Sequence, residues 1–185
     1  RFYTQSDTEV IIHLYEEEGN ACVNKLNGQF AFAIWDTKTN ALFVARDRVG
    51  IRPLHYTMHN NTFYFASEIK SLFASNAVPR DIDPISVEQI FTVWTTLPGR
   101  TFFKNIFELK PGHYAIITKG SFVEKKYWEI PYYPKHEYLN DSPQELSEEV
   151  RALLIDAVRI QLRSDVPVGT YLSGGLDSSG ISALV

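Results

Sequence analysis

Methionine and cysteine are nearly missing from this 185-residue chain, which has one of each. The single cysteine, Cys22, excludes an intramolecular disulfide framework and agrees with a reducing compartment. No apolar run comes near the roughly 18 residues of a membrane-spanning helix, and the opening residues are polar and acidic where a secretory leader is basic and then apolar. Basic runs are missing too: 18 Lys and Arg stand against 22 Asp and Glu, giving a formal charge of -4 spread along the chain. Nucleic-acid backbones and anionic membrane surfaces are therefore not expected partners, although a small anion can still bind locally. The five histidines, His13, His55, His59, His113 and His136, have no metal-ligand pairing. The expected location is cytoplasmic.

What is present is core material, 44% hydrophobic and 14% aromatic, enough for one globular core or parts of two. Residues 6–19 predict a helix: Ser6-Asp7-Thr8-Glu9 has the spacing of a capping box, Val10/Leu14 and Ile11/Tyr15 fall at i,i+4, and Gly19 closes it. Residues 21–26 continue helically, and Cys22 there reads as a small buried hydrophobe. Residues 29–36 alternate Phe30, Phe32, Ile34 against Ala31, Ala33, Trp35, the pattern of a strand buried on both faces. Strands follow at 42–47, 54–58 and 63–67, the last two flanking the polar turn His59-Asn60-Asn61-Thr62 as in an antiparallel sheet. Short helix 68–73, a helix opened by Asp83-Pro84, and strand 114–118 come next. Residues 130–141 are rich in Pro and Tyr without a period and read as a linker. Beyond it, Ser142-Pro143-Gln144-Glu145 is a second capping-box pattern that starts a long amphipathic helix. Residues 166–172 predict a short strand running into a glycine loop and a further helix, the opening of a parallel α/β layer. The chain opens without Met and stops inside a helical pattern, so both ends are expected to be cut, and the chain alone is expected to be poorly soluble.

The loop Ser173-Gly174-Gly175-Leu176-Asp177-Ser178-Ser179 carries the clearest chemistry. A strand that turns through two glycines into a helix exposes backbone N–H groups at a positive helix end, a geometry that holds a phosphate-sized anion. Ser173, Ser178 and Ser179 add hydroxyl donors. Asp177 is out of place beside phosphate unless it helps hold Mg²⁺ or caps the following helix. The Gly-Lys-Ser/Thr ending of a Walker loop is lacking. A second charged segment, Ala45-Arg46-Asp47-Arg48-Val49-Gly50-Ile51-Arg52-Pro53-Leu54-His55-Tyr56, joins two apolar strands; by itself it reads equally as a solvated hairpin.

Residues 173–179 resemble the SGGxDS pyrophosphate loop of the ATP-pyrophosphatase superfamily. Asn27-Gly28-Gln29-Phe30-Ala31-Phe32-Ala33, the charged segment, and Phe63-Tyr64-Phe65-Ala66-Ser67-Glu68-Ile69-Lys70-Ser71-Leu72 together resemble the class II glutamine amidotransferases. Both sets of blocks on one chain resemble the asparagine synthetase family, with the weakest likeness between residues 95 and 141. The resemblance implies an α+β then α/β architecture. Residues 1–129 would be the C-terminal portion of an Ntn-type αββα sandwich, 130–141 the linker, and 142–185 the first helix-strand-loop-helix of a Rossmann-like adenine nucleotide α hydrolase domain.

The same resemblance implies glutamine, aspartate and ATP as substrates, ATP with Mg²⁺, and allows a homodimer of the whole protein. It gives Asp7 the substrate's α-ammonium, against the alternative that Asp7 only complements the helix dipole. Leu172 would lie on the adenine or ribose side, and Ser173, Gly174, Gly175, Asp177, Ser178 and Ser179 would hold pyrophosphate, Asp177 through Mg²⁺. Arg46, Asp47 and Glu68 would organise the strand ends and the contact with the synthetase domain. The family's nucleophile is an N-terminal cysteine with its own α-amino group as base. Cys22 does not match it, so the chain alone is expected to be inactive. β-Lactam synthetases and peptide macrocyclases share the loop with another acceptor, and a non-catalytic nucleotide-binding module is the reading from a different class.

Overall fold

The computed structural model describes residues 1–185, which divide into two compact units, 1–131 and 132–185. In the first, α1 (Asp7–Glu18) is capped by Ser6 and closed by Gly19, whose backbone at φ 57° releases the chain into a 3₁₀ turn over Gly19–Asn24. Four antiparallel strands form one sheet: β1 (Ala31–Asp36), β2 (Ala41–Arg46), β6 (His113–Thr118) and β7 (Ser121–Lys126), in the order β1-β2-β6-β7. The second sheet is β4-β3-β5, from β3 (His55–His59), β4 (Thr62–Ala66) and β5 (Phe107–Glu108). Asn60 and Asn61, both left-handed at φ 48° and 57°, make the two-residue turn between β3 and β4, where asparagine tolerates what a branched side chain does not.

Register decides the layering. In β2, Phe43 and Ala45 face one way and Val44 the other, and all are buried, because the strand is central and covered on both faces. Phe43 and Ala45 pack with Cys22, Val23, Leu14 and Tyr15 beneath α1. Val44 packs with Leu54, Leu109, Ala115 and Ile117 between the sheets, joined by Tyr56 and Phe63. On the far side of the second sheet, α2 (Ile69–Phe73) buries Leu72 and Phe73 with Val78 and Ile106. The unit is thus stacked helix, sheet, sheet, helix, with α3 (Pro84–Val93) opened by Asp83, whose carboxylate accepts from Ile85 N.

Two expectations are corrected here. β1 is not buried on both faces: Trp35 is 58% exposed and Ala33 is exposed, because β1 is a sheet edge and only Ala31, at its start, reaches the layer between the sheets. Glu9 does not complete a capping box with Ser6; its carboxylate reaches further back, to Tyr3 and Thr4.

In the second unit, α4 (Pro143–Gln161) does have the reciprocal capping box between Ser142 and Glu145. α5 is Leu176–Leu184. Residues 166–172 form no strand, which corrects the reading of that segment. Strand geometry is stabilised by a ladder partner, and no other strand lies in this unit to supply one. No helix of the chain is long and apolar enough to cross a membrane.

Candidate functional site

Three groupings carry the candidate residues, and each has its own local cause. The first is the start of α1. Asp7 is the first helical residue and is exposed; its carboxylate accepts one side-chain hydrogen bond, from the Thr8 hydroxyl at 3.4 Å. Around it the backbone is tied. Glu9 Oε1 accepts from Tyr3 N at 2.6 Å, and Oε2 accepts from Thr4 N at 2.6 Å and from the Thr4 hydroxyl. Those donors, the Thr4 hydroxyl first, hold the Glu9 carboxyl down at about 2.

The second grouping is the loop after β2. Arg46 is buried with every guanidinium nitrogen engaged: Nε on Arg52 O, Nη1 on Leu109 O and Nη2 on Gly50 O, each at 2.7 Å, plus an ion pair with Glu108 at 2.9 Å. Asp47 is 1% exposed, and its carboxylate accepts from Ile51 N and Arg52 N at 2.9 Å and from Phe30 N at 3.3 Å. A buried charge is tolerable only when its lone pairs and protons are satisfied in this way. Its carbonyl accepts from Gly50 N and Gly112 N, while Tyr127 donates its hydroxyl to Arg46 O at 2.7 Å. Burial pushes the Tyr127 phenol well above its usual range. Arg46 and Asp47 are therefore tied into a knot of backbone, and neither charge is left free for a ligand.

Glu68 stands outside that knot. It precedes α2 without capping it and pairs with Lys70 on the surface. The structure joins Arg46 with Asp47 and leaves Glu68 and Asp7 apart from them. Glu108 and Gly112 belong to the knot and escaped sequence reasoning; the signal for Gly112 was its place after Lys110-Pro111, a turn pattern.

The third grouping is the glycine loop of the second unit. Gly174 adopts φ 82°, which turns the chain so that Ser173 Oγ meets Ser178 Oγ at 2.8 Å and Gly175 N at 3.4 Å. Ser178 Oγ also donates to Gly175 O, and Ser179 N closes the first helical bond there. Gly175 lies at the N-cap and provides no side chain, so the N–H groups of Leu176, Asp177 and Ser178 have no protein acceptor. Leu172 is 67% exposed, and the Asp177 carboxylate is exposed with no hydrogen bond. Free amides at a helix start suit a polyanion. One free carboxylate beside them suits a Mg²⁺ whose other ligands are phosphate oxygens and water, and no cluster of three or more His, Cys, Asp or Glu forms a cage for a metal by itself.

The family profile described as glutamine amidotransferase domain matches residues 1–128, and that described as asparagine synthase matches 149–185. Among curated proteins, asparagine synthetase [glutamine-hydrolyzing] 3 of Bacillus subtilis (strain 168) is 43% identical, over 100% of this chain and 30% of its own length. Amidase chry2 of Gibberella zeae is 40% identical over 100% of this chain and 27% of its own. The putative asparagine synthetase [glutamine-hydrolyzing] 2 of Methanocaldococcus jannaschii is 39% identical over 96% of this chain and 35% of its own. This chain thus spans about a third or less of the relatives it matches. The solved structure of the allosteric regulatory enzyme of purine biosynthesis superposes at TM-score 0.48 and 21% identity, over 99% of this chain and 37% of that one, too loosely to argue from. With a match running from residue 1 to residue 128, the chain belongs to the glutamine amidotransferase domain family.

Proposed function

We propose that the protein carrying this chain is a glutamine-dependent asparagine synthetase. The observation that carries the reading is the succession, on one chain, of an amidotransferase match and an asparagine synthase match, the second containing the loop with its free N–H groups. In this reading residues 1–129 belong to an Ntn-type αββα glutaminase domain, 130–141 link it onward, and 142–185 begin a Rossmann-like ATP-binding domain. Glutamine hydrolysis releases ammonia. The β-carboxylate of aspartate attacks the α-phosphorus of ATP, pyrophosphate leaves, and ammonia then displaces AMP from the aspartyl adenylate to give asparagine. The location is cytoplasmic.

This chain's own contribution is to binding. Asp7 supplies a carboxylate to the α-ammonium of glutamine, which a free, exposed acid at a fixed position can do. The amides of Leu176, Asp177 and Ser178, with the Ser173, Ser178 and Ser179 hydroxyls, face the pyrophosphate oxygens, and Leu172 flanks the nucleoside. Mg²⁺ held by Asp177 and the phosphates would neutralise charge on the leaving pyrophosphate. Arg46 and Asp47 keep the strand end in shape, and Glu68 stays on the surface, paired with Lys70.

The test uses the full-length protein of the same gene with aspartate, Mg-ATP and glutamine, following asparagine, AMP and pyrophosphate together. Equal amounts of all three are expected, with both asparagine and AMP lost in Asp177→Ala. AMP without asparagine moves the protein to an adenylating relative with another acceptor, such as a β-lactam synthetase or peptide macrocyclase. ADP, or no turnover, overturns the reading of the loop.

A further inference from the structure

The carboxylate assigned to glutamine's ammonium lies in a stretch of backbone that has little else to hold it. Residues 1–6 are outside any helix or strand, and Asp7 itself is exposed. Yet the stretch is not loose. Both oxygens of Glu9 are used, Oε1 by Tyr3 N and Oε2 by Thr4 N and the Thr4 hydroxyl. The Thr4 oxygen passes the constraint on by accepting from Ser6 N at 3.2 Å. Ser6 then holds the far side of Asp7: its hydroxyl accepts from Thr8 N at 3.2 Å and its carbonyl from Glu9 N at 3.3 Å. Asp7 is thereby spanned by a closed circuit, Glu9 to Thr4 to Ser6 and back to Glu9, that leaves its own carboxylate exposed and bonded only by the 3.4 Å contact from the Thr8 hydroxyl.

We infer that Glu9 is a positioning residue for the Asp7 carboxylate, fixing the backbone from which that carboxylate meets the substrate's α-ammonium. The inference rests on the proposed glutamine site. Its physical basis is that an ion pair formed by a pre-placed acid loses less conformational freedom on binding, so disorder at residue 7 weakens substrate binding more than it slows the chemistry at the amide. Glutamine in place of Glu9 presents an NH₂ where an N–H donor already points, which opens the circuit while nearly keeping the shape.

The experiment uses the full-length protein and compares Glu9→Gln, Asp7→Asn and Thr4→Val in glutamine hydrolysis. Each is also assayed on the substrate analogue that lacks the α-amino group. Glu9→Gln is expected to raise KM for glutamine about tenfold while kcat changes less than about threefold, and to narrow the preference for glutamine over the analogue by a similar factor. Thr4→Val, which cuts the circuit at its middle, is expected to raise KM by about threefold and to add little to Glu9→Gln in the double variant. A residue that only stabilises helix α1 lowers the melting temperature and leaves the preference between the two substrates where it was. If Asp7→Asn destroys the preference and Glu9→Gln does not, the inference falls and the glutamine-site reading stands. If Asp7→Asn leaves the preference intact, the reading of Asp7 falls and the inference with it. Should Glu9→Gln fail to fold, Thr4→Val decides alone: an unchanged KM and preference overturns the inference.

Discussion

At the scale of single residues, Gly112 shows why one atom can be excluded from a fold. Its backbone lies at φ 64°, and a Cβ there would stand 2.4 Å from Trp128 O and 3.2 Å from the Trp128 carbonyl carbon. The same residue donates to Asp47 O and accepts from Tyr127 N and Trp128 N, so it cannot move without breaking the knot around Arg46. Gly120, at φ 81°, has nothing within 4 Å of the corresponding position. Alanine at Gly120 should cost only the left-handed penalty, about 1 kcal/mol. Alanine at Gly112 adds backbone collision and lost hydrogen bonds, for a total of about 3 kcal/mol or more. Urea unfolding of the two variants separates the terms; equal midpoints would mean that Trp128 yields freely and that the close approach is not a constraint.

At the scale of elements, the end of α3 stores a comparable strain on the surface. Trp94 terminates the helix in the left-handed region at φ 67°, a place where glycine is at home, and its ring is 92% exposed. Trp94→Gly should therefore stabilise the chain by about 0.5–1 kcal/mol, since the relief exceeds the small loss of ring contacts. Circular dichroism against urea measures it, and a lower midpoint would show that the exposed ring contributes more than its solvent contact suggests. The end of α3 was not legible in the sequence, because no glycine marks it; its start was, through Asp83-Pro84. The same division runs through the chain. Ser6, Gly19, Ser142 and Glu145 announce their helix ends because capping is local chemistry. The strand expected at 166–172 and the covered face expected for Trp35 both depended on neighbours that apolar pattern alone does not reveal. Among the candidate residues, the glycine loop was visible as a motif. The buried pairing of Arg46 with Glu108 was not, because sequence spacing says nothing of contacts 62 residues apart.

At the scale of the whole molecule, the shifted acids define a window of stability. Glu9 is lowered from 4.5 to about 2, and Asp83, Asp36 and Glu145 are lowered by hydrogen bonds from Ser86, Lys38 N and Ser142 respectively. A carboxyl whose folded value is depressed binds its proton more readily when unfolded, so its contribution is complete above the unfolded value and disappears as pH falls toward the folded one. On the alkaline side, burial raises Tyr56 to about 12, Tyr127 further, and the thiol of Cys22 above its usual range. These groups are neutral in the fold and ionise first when unfolded, so their contribution is complete below the unfolded values and is lost as pH rises through them. The expected profile is a plateau between about pH 5 and 8, an acid limb falling below about pH 4.5 and an alkaline limb falling above about pH 9. Urea midpoints across pH test both limbs, with Glu9→Gln expected to flatten the acid one. Cys22 gives a separate check on the alkaline limb: at 0% exposure its thiol should resist labelling in the native chain and react only with the unfolded fraction. Labelling at the rate of a free thiol in native buffer, or midpoints that climb below about pH 4, would show that these groups are not held as the fold holds them here.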